Sequence, residues 1–204
     1  MIIASGLIEG DIYRFLHLLY RDNLNRGFLH YNGKLHPSRY LAVSDNAIAI
    51  GEYDWALEFI QQNRHNIIGD NDSNDCYRLN MANYYFSRRM YAECIDFIPP
   101  SSVFTDYLLK AKRLELMALF ETQSELLTFK LDTFKMFVSR TSPKILSDYF
   151  RQIHSDFINL LHQIVYSTPG DLKRSELLVK RVHERKQAAE WRWLLEKAQE
   201  LRHR

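Results

Sequence analysis

The chain has 204 residues, of which 46% are hydrophobic and 13% aromatic, with only seven glycines and five prolines. This composition excludes a disordered chain and favours long helices over folds that need many tight turns. The formal net charge of +2 is too small to indicate a nucleic acid or an anionic surface as partner, and two cysteines are too few for a disulfide-stapled scaffold. We therefore expect a soluble protein of the reducing cytoplasm.

The first helix is predicted from an apolar stripe that begins near the start of the chain. Residues 1–8 are apolar but lack a basic leader, and no run approaches the roughly 20 apolar residues of a membrane span, so neither a signal peptide nor a membrane helix is expected. The stripe predicts an amphipathic helix that ends near Gly27 and faces the core. A core-facing helix this close to the start of the sequence, without a polar capping repeat before it, leaves two alternatives open. The sequence is either a complete chain or the C-terminal part of a longer protein. The stripe consists of Ile8, Ile12, Phe15 and Leu19.

Two segments, 53–60 and 91–98, repeat one pattern at an offset of 38 residues. Each has a tyrosine, a small residue three positions later, and Phe-Ile at the end. The small residue, Ala56 in one copy and Cys94 in the other, suits a helix that packs closely against a neighbour. The pattern predicts one helix pair over 38–66, with a turn near Gly51, and a second over 75–98, stopped by Pro99 and Pro100. Pro37 or Ser38 suits the start of the first pair.

A degenerate third pair is predicted from Ser101 or Ser102 to residue 139, with apolar residues on two further helices. Ser142 and Pro143 then predict the start of a long helix, which residues 168–171 interrupt before a last helix of about 30 residues. The apolar residues of the third pair and of the long helix are Leu108, Ala111, Leu114, Met117, Ala118, Leu126, Leu127, Leu131, Phe134, Val138, Leu146, Phe150, Ile153, Phe157, Leu160 and Ile164.

The stretch Gly51-Glu52-Tyr53-Asp54-Trp55-Ala56 resembles the turn and second helix of the tetratricopeptide repeat family. The resemblance covers about residues 38–139 and departs from the family in two respects: the first-helix signature is absent, and the offset of 38 residues is longer than the family's period. It implies an all-α, tetratricopeptide-like (TPR-like) α-solenoid of antiparallel helix pairs. We expect one domain over 1–204, with an N-terminal segment at 1–37, about three pairs at 38–139 and two longer helices at 143–204 that close it.

The resemblance also implies a function, because the first helix of each pair in such folds lines a concave groove for a peptide or a partner helix. The lining would be apolar with two carboxylates, so we expect a protein or peptide partner with hydrophobic anchors and basic groups. A competing interpretation is that Ile48, Phe86 and Leu119 only pack beneath a neighbouring helix. The groove positions are Leu41, Asp45, Ile48, Ala49, Leu79, Asn83, Phe86, Ser87, Ala111, Glu115 and Leu119.

Sequence motifs for catalysis are missing, since the chain has no phosphate loop, no paired-histidine zinc motif and no nucleophile elbow. His154 and His162 are eight residues apart, about 12 Å along a helix, which is too far for one metal ion. Cys94 is expected to be a small buried residue and not a reactive thiol. The prediction is a protein that is not an enzyme and holds no metal or cofactor.

The last segment is the most basic part of the chain. Residues 171–204 contain ten Lys and Arg and six Asp and Glu, interspersed as in a solvated face with ion pairs. The sequence therefore predicts a scaffold or adaptor that binds another protein, as a monomer or weak dimer without a membrane. The alternative is a nucleic-acid-associated helical protein that uses this basic segment, and we regard nucleic acid as the less favoured partner.

Overall fold

The computed structural model describes residues 2–69, 74–100 and 104–203, with side chains from residue 10 onward. Within that range the chain forms ten α-helices and one two-stranded antiparallel sheet, which bears out an all-α class. Ser101 and Ser102, predicted to start the third pair, lie outside the described residues. The elements in chain order are α1 Ile2–Asn25, β1 His30–Tyr31, β2 Lys34–Leu35, α2 Pro37–Ala49, α3 Tyr53–Gln62, α4 Asp75–Ser87, α5 Tyr91–Phe97, α6 Thr105–Glu121, α7 Leu127–Arg140, α8 Asp148–Val165, α9 Leu172–Glu184 and α10 Trp191–Glu200.

Contacts group the residues into two compact units, Met1–Ser124 and Glu125–Arg204. The division falls between α6 and α7, which the sequence placed in one helix pair. The first unit therefore holds six helices and the small sheet, and the second holds four helices.

The helices of the first unit begin and end at the residues that local chemistry favours. Pro37 is the first residue of α2, where its missing amide hydrogen costs nothing, and the His36 side chain accepts a hydrogen bond from the Ser38 amide. Gly51 separates α2 from α3 with a φ of +82°, a conformation that is easy only for glycine. The helix α5 ends at Phe97, directly before Ile98 and the two prolines. These three predictions are confirmed.

Helix contacts in the first unit follow a regular order. Within each pair, α2 packs on α3 and α4 packs on α5. Between pairs, the first helices α2, α4 and α6 are neighbours, and each second helix contacts the next first helix, α3 with α4 and α5 with α6. Ala56 and Cys94 are fully buried, as are Ser44 and Ala82 at equivalent places of the first helices, so the small residues of both copies lie in the core as predicted.

The prediction for the buried face of α1 is wrong. Ile12, Phe15 and Leu19 are 52%, 65% and 42% exposed, and the side chain of Ile8 is outside the described part. The helix instead turns its other side inward, where His17 is buried and Tyr20 and Leu24 pack against the core. Because α1 has large apolar residues on both sides, periodicity alone could not decide which side packs on α2.

A short hairpin between α1 and α2 was not predicted. Asn32 and Gly33 form its two-residue turn with φ of +49° and +75°, the geometry for which Asn-Gly is the preferred pair. The backbone of Leu35 bonds to Asn66 and Ile68 beyond α3, and the Leu35 side chain is fully buried. The hairpin thus fixes the entry to α2.

The second unit is built on α8, which has one apolar face. Phe157, Leu160 and Ile164 of that face are buried, as predicted, whereas Phe150 is 52% exposed because it lies in the first turn, before the buried part begins. The exposed Leu126 likewise precedes α7. Within α7 the buried residues are Leu127, Leu131, Phe134 and Val138, as predicted.

Two helix boundaries in the second unit differ from the prediction. Residues 143–146 form a turn that bonds to the Ser142 carbonyl, and α8 begins only at Asp148. The expected single helix of about 30 residues is two helices, α9 and α10, which pack on each other and are separated by Glu190 with a φ of +53°. The Ser175 hydroxyl of α9 donates to the Ala198 carbonyl of α10 at 2.7 Å, which joins the two helices in the core.

No helix in the described ranges combines the length and the apolar character that crossing a membrane requires.

Candidate functional site

A row of polar side chains joins the three neighbouring helices α2, α4 and α6. The Asn83 amide donates to Asp45 Oδ1 at 2.8 Å, and Lys110 Nζ lies 2.5 Å from Asp45 Oδ2. Asp45 and Asn83 are equivalent positions of the two copies, 38 residues apart in the chain and in direct contact. Asp45, Asn83 and Lys110 therefore share one surface of α2, α4 and α6, which we call the first-helix face.

The charge of this face differs from the charge that the sequence suggested. Both carboxylate oxygens of Asp45 are occupied, one by an amide and one by an ammonium group. The Asp45 and Lys110 side chains are 35% and 18% exposed, so water reaches the pair only partly. A basic partner group would have to compete with Lys110 for the same carboxylate. The centre of the face is thus polar and nearly neutral.

The eleven predicted groove residues divide into three groups by exposure. Ala49 is exposed, and the half-buried residues form the part of the face that solvent reaches. The remaining four belong to the interior, as the competing interpretation stated for two of them. The half-buried residues are Leu41, Asp45, Asn83, Phe86, Ser87 and Glu115, and the buried residues are Ile48, Leu79, Ala111 and Leu119.

Buried hydrogen bonds beneath the face hold the three helices together. The Ser44 hydroxyl on α2 donates to the Asn80 carboxamide oxygen on α4, and Asn80 Nδ2 donates to the Cys76 carbonyl at 2.7 Å. From α6, the Tyr107 hydroxyl donates to the Pro37 carbonyl at 2.5 Å. Burial raises the pKa of Tyr107 well above its ordinary value, so this phenol stays protonated and keeps its donor.

A cavity of about 270 Å³ lies between α1 and α3. Its wall carries Trp55 stacked on Phe59 at 5.4 Å, and the Arg21 guanidinium lies 5.9 Å from the Trp55 ring. The sequence did not suggest this cavity, since its residues come from separate elements. They are Arg21, Leu24, Asn25, His30, Trp55, Glu58, Phe59, Gln62 and Asn63.

Over 2–69, 74–100 and 104–203, no three His, Cys, Asp or Glu side chains come together as ligands for a metal ion. His154 is buried with its ring edge toward Phe134, whereas His162 is exposed beside Tyr166. Burial raises the pKa of the Cys94 thiol to about 12, which keeps it in the unreactive thiol form near neutral pH.

Two cations of the basic C-terminal segment, Lys197 and Arg185, are paired with carboxylates. Lys197 is buried and its Nζ lies 2.9 Å from Glu196 and 3.0 Å from Glu200. Arg185 Nε lies 3.6 Å from the buried carboxylate of Asp156. These cations neutralise neighbouring carboxylates and are therefore less available to phosphate groups.

Comparison of the chain with protein-family models, with curated proteins and with solved structures found no match.

Proposed function

We propose that this chain is a non-catalytic scaffold or adaptor whose first-helix face binds a peptide or a helix of another protein. The proposed architecture is a TPR-like α-solenoid in which antiparallel helix pairs stack in register. The main support for the proposal is the contact between Asp45 and Asn83. These residues are one repeat apart in sequence and occupy equivalent positions on neighbouring first helices, as stacking in register requires. The order of helix contacts supports the same arrangement.

The chemistry of the face indicates what kind of segment it would accept. Phe86 and Leu41 offer partly exposed apolar surface, and Ala49 leaves room for an incoming side chain. Asn83 supplies an amide that a peptide backbone can bond to. Since Lys110 neutralises Asp45, the partner's hydrophobic anchors would contribute more to affinity than its basic groups. The two free, buried cysteines are compatible with the reducing cytoplasm in which we place the protein.

The nucleic-acid alternative has less support. Nucleic-acid binding needs Lys and Arg side chains that can approach phosphates, and Lys197 and Arg185 are paired with carboxylates. The polar contacts that link neighbouring helices of the first unit do not depend on that segment.

Affinity purification with matched variants tests the proposal. The variants are Ala49→Arg and Phe86→Ala on the first-helix face, with Ala92→Arg as control because Ala92 is exposed on the second helix α5. We expect a set of proteins that wild type and the control retain and that both face variants lose. Retention by all four chains would contradict the assigned face, and recovery of nuclease-sensitive material alone would favour the alternative.

A further inference from the structure

His17 is a buried polar group with no hydrogen-bond partner. Its residue is 4% exposed, and neither ring nitrogen has a donor or acceptor within reach among the described residues. The imidazole stands edge-on to the Trp55 ring, with centroids 4.8 Å apart and planes at 84°. A neutral imidazole leaves one donor and one acceptor unpaired in this place, and an imidazolium would leave two donors unpaired while also carrying a charge.

The charges around His17 disfavour its protonation. Arg21 lies one turn further along α1, and among the described side chains Glu52, in the turn before α3, is the opposing charge that acts on His17. Burial and then Arg21 lower the pKa of His17 below its ordinary 6.5, with Glu52 acting in the opposite direction. The other charged groups of the packed helices are engaged or exposed: Arg39 on the Leu29 carbonyl, Asp45 on Asn83 and Lys110, Glu58 on Gln62, and Asp54 in solvent.

The helix that carries His17 is attached on one side only. It packs on α2, and a hydrogen bond from Asn46 Nδ2 to the Tyr13 carbonyl, at 3.1 Å, links the two helices in the described part. Its opposite side is in solvent, with Phe15 and Leu18 more than 60% exposed. A helix that packs along one side only can open locally while the remaining helices stay folded.

We propose that α1 is a pH-controlled cover, in which protonation of His17 releases the helix from α2 and from Trp55. At neutral pH the imidazole is neutral and α1 covers the Trp55 and Phe59 side of α3. At acid pH His17 is protonated in the released helix, where water solvates its charge, and that aromatic surface becomes accessible. Release would require no change in the contacts among α2, α4 and α6.

The direction of the effect follows from proton linkage. The released state binds the proton more tightly than the docked state, so docking is fully stable above about pH 6.5 and weakens as the pH falls toward the lowered pKa of the docked form. One proton changes the docking equilibrium by at most about tenfold per pH unit.

Hydrogen exchange of the backbone amides in residues 12–25, read by mass spectrometry at pH 7.5, 6.5 and 5.5, tests the proposal. Rates are corrected for the intrinsic pH dependence, and α4 serves as the internal reference. In wild type we expect the protection of α1 to fall several-fold by pH 5.5 while α4 is unchanged. His17→Leu and His17→Phe should keep α1 equally protected at all three values.

His30→Gln is the matched control. His30 is a second histidine close to α1, and it lines the same cavity as Arg21. It should retain the wild-type response. Constant protection in wild type, or a response lost in His30→Gln and kept in His17→Leu, would overturn the proposal. If neither His17 variant folds, the wild type is titrated by NMR and the imidazole proton shifts of His17 are followed. The proposal requires that this titration coincide with the loss of α1 protection.

Discussion

The buried hydrogen bond between Ser44 and Asn80 permits a quantitative test of how α2 and α4 are joined. Both residues are fully buried, and the Ser44 hydroxyl is also 3.0 Å from the Leu41 carbonyl of its own helix. Ser44→Ala removes one oxygen and leaves the Asn80 carboxamide oxygen without its donor from α2. Leaving a buried acceptor unpaired costs about 1–3 kcal/mol. Asn80→Leu keeps the volume and removes the acceptor, so after it the serine change should cost much less.

Urea unfolding followed by circular dichroism measures the four members of this double-mutant cycle. We expect Ser44→Ala alone to lower the free energy of unfolding by about 2 kcal/mol, and a coupling energy of about 1 kcal/mol or more with Asn80→Leu. Ser139→Ala is the control, since Ser139 bonds the carbonyl three residues back in the same way but is exposed. A Ser44→Ala loss equal to the control, with additive effects in the cycle, would refute the contact between α2 and α4.

Three further predictions concern packing, reactivity and backbone conformation. Ala56→Leu should overpack the core and lower stability by about 1–3 kcal/mol in urea unfolding, whereas the exposed Ala92→Leu should change it by less than about 0.5 kcal/mol. A thiol reagent at pH 8 should modify neither cysteine in the folded protein, because both thiols are buried and burial raises the pKa of Cys94 to about 12; rapid native labelling would contradict this. Gly51→Ala should lower the melting temperature because its φ is +82°, and Gly10→Ala in helical α1, with open space at its Cβ, should raise it.

Predictions from local chemistry succeeded where the residue itself restricts the backbone or the packing distance. Pro37 predicted the start of α2, and Gly51 predicted the turn between the helices of the first pair. The small residues Ala56 and Cys94 could be placed in the core because a repeated small residue among larger apolar ones indicates a close helix crossing.

Predictions failed where packing overrides local preference. Residues 172–200 contain no glycine or proline, so nothing local predicted the break between α9 and α10. Glu190 adopts the left-handed conformation there because the two helices gain a shared core that includes Leu178 and Leu194. The buried face of α1 was missed for a related reason, since both of its sides offer apolar residues and only contact with α2 selects one.

The candidate site was predicted only in part. The repeat offset identified Asp45 and Asn83 as equivalent positions, and they are in contact. Lys110 was missed because the third pair lacks the motif that aligned the first two, so no offset connected it to the same row. The pairing of Lys110 with Asp45 neutralises one of the two carboxylates that the sequence placed on the first-helix face.

Photo-crosslinking from defined positions tests the central claim most directly. A photoreactive amino acid is placed at Ala49 on the first-helix face and, in a separate chain, at Ala92 on α5, both of which are exposed. The account predicts discrete protein adducts from position 49 in cells and few or none from position 92. Adducts that form equally from both positions, or only from position 92, would contradict the claim that the first-helix face binds the partner.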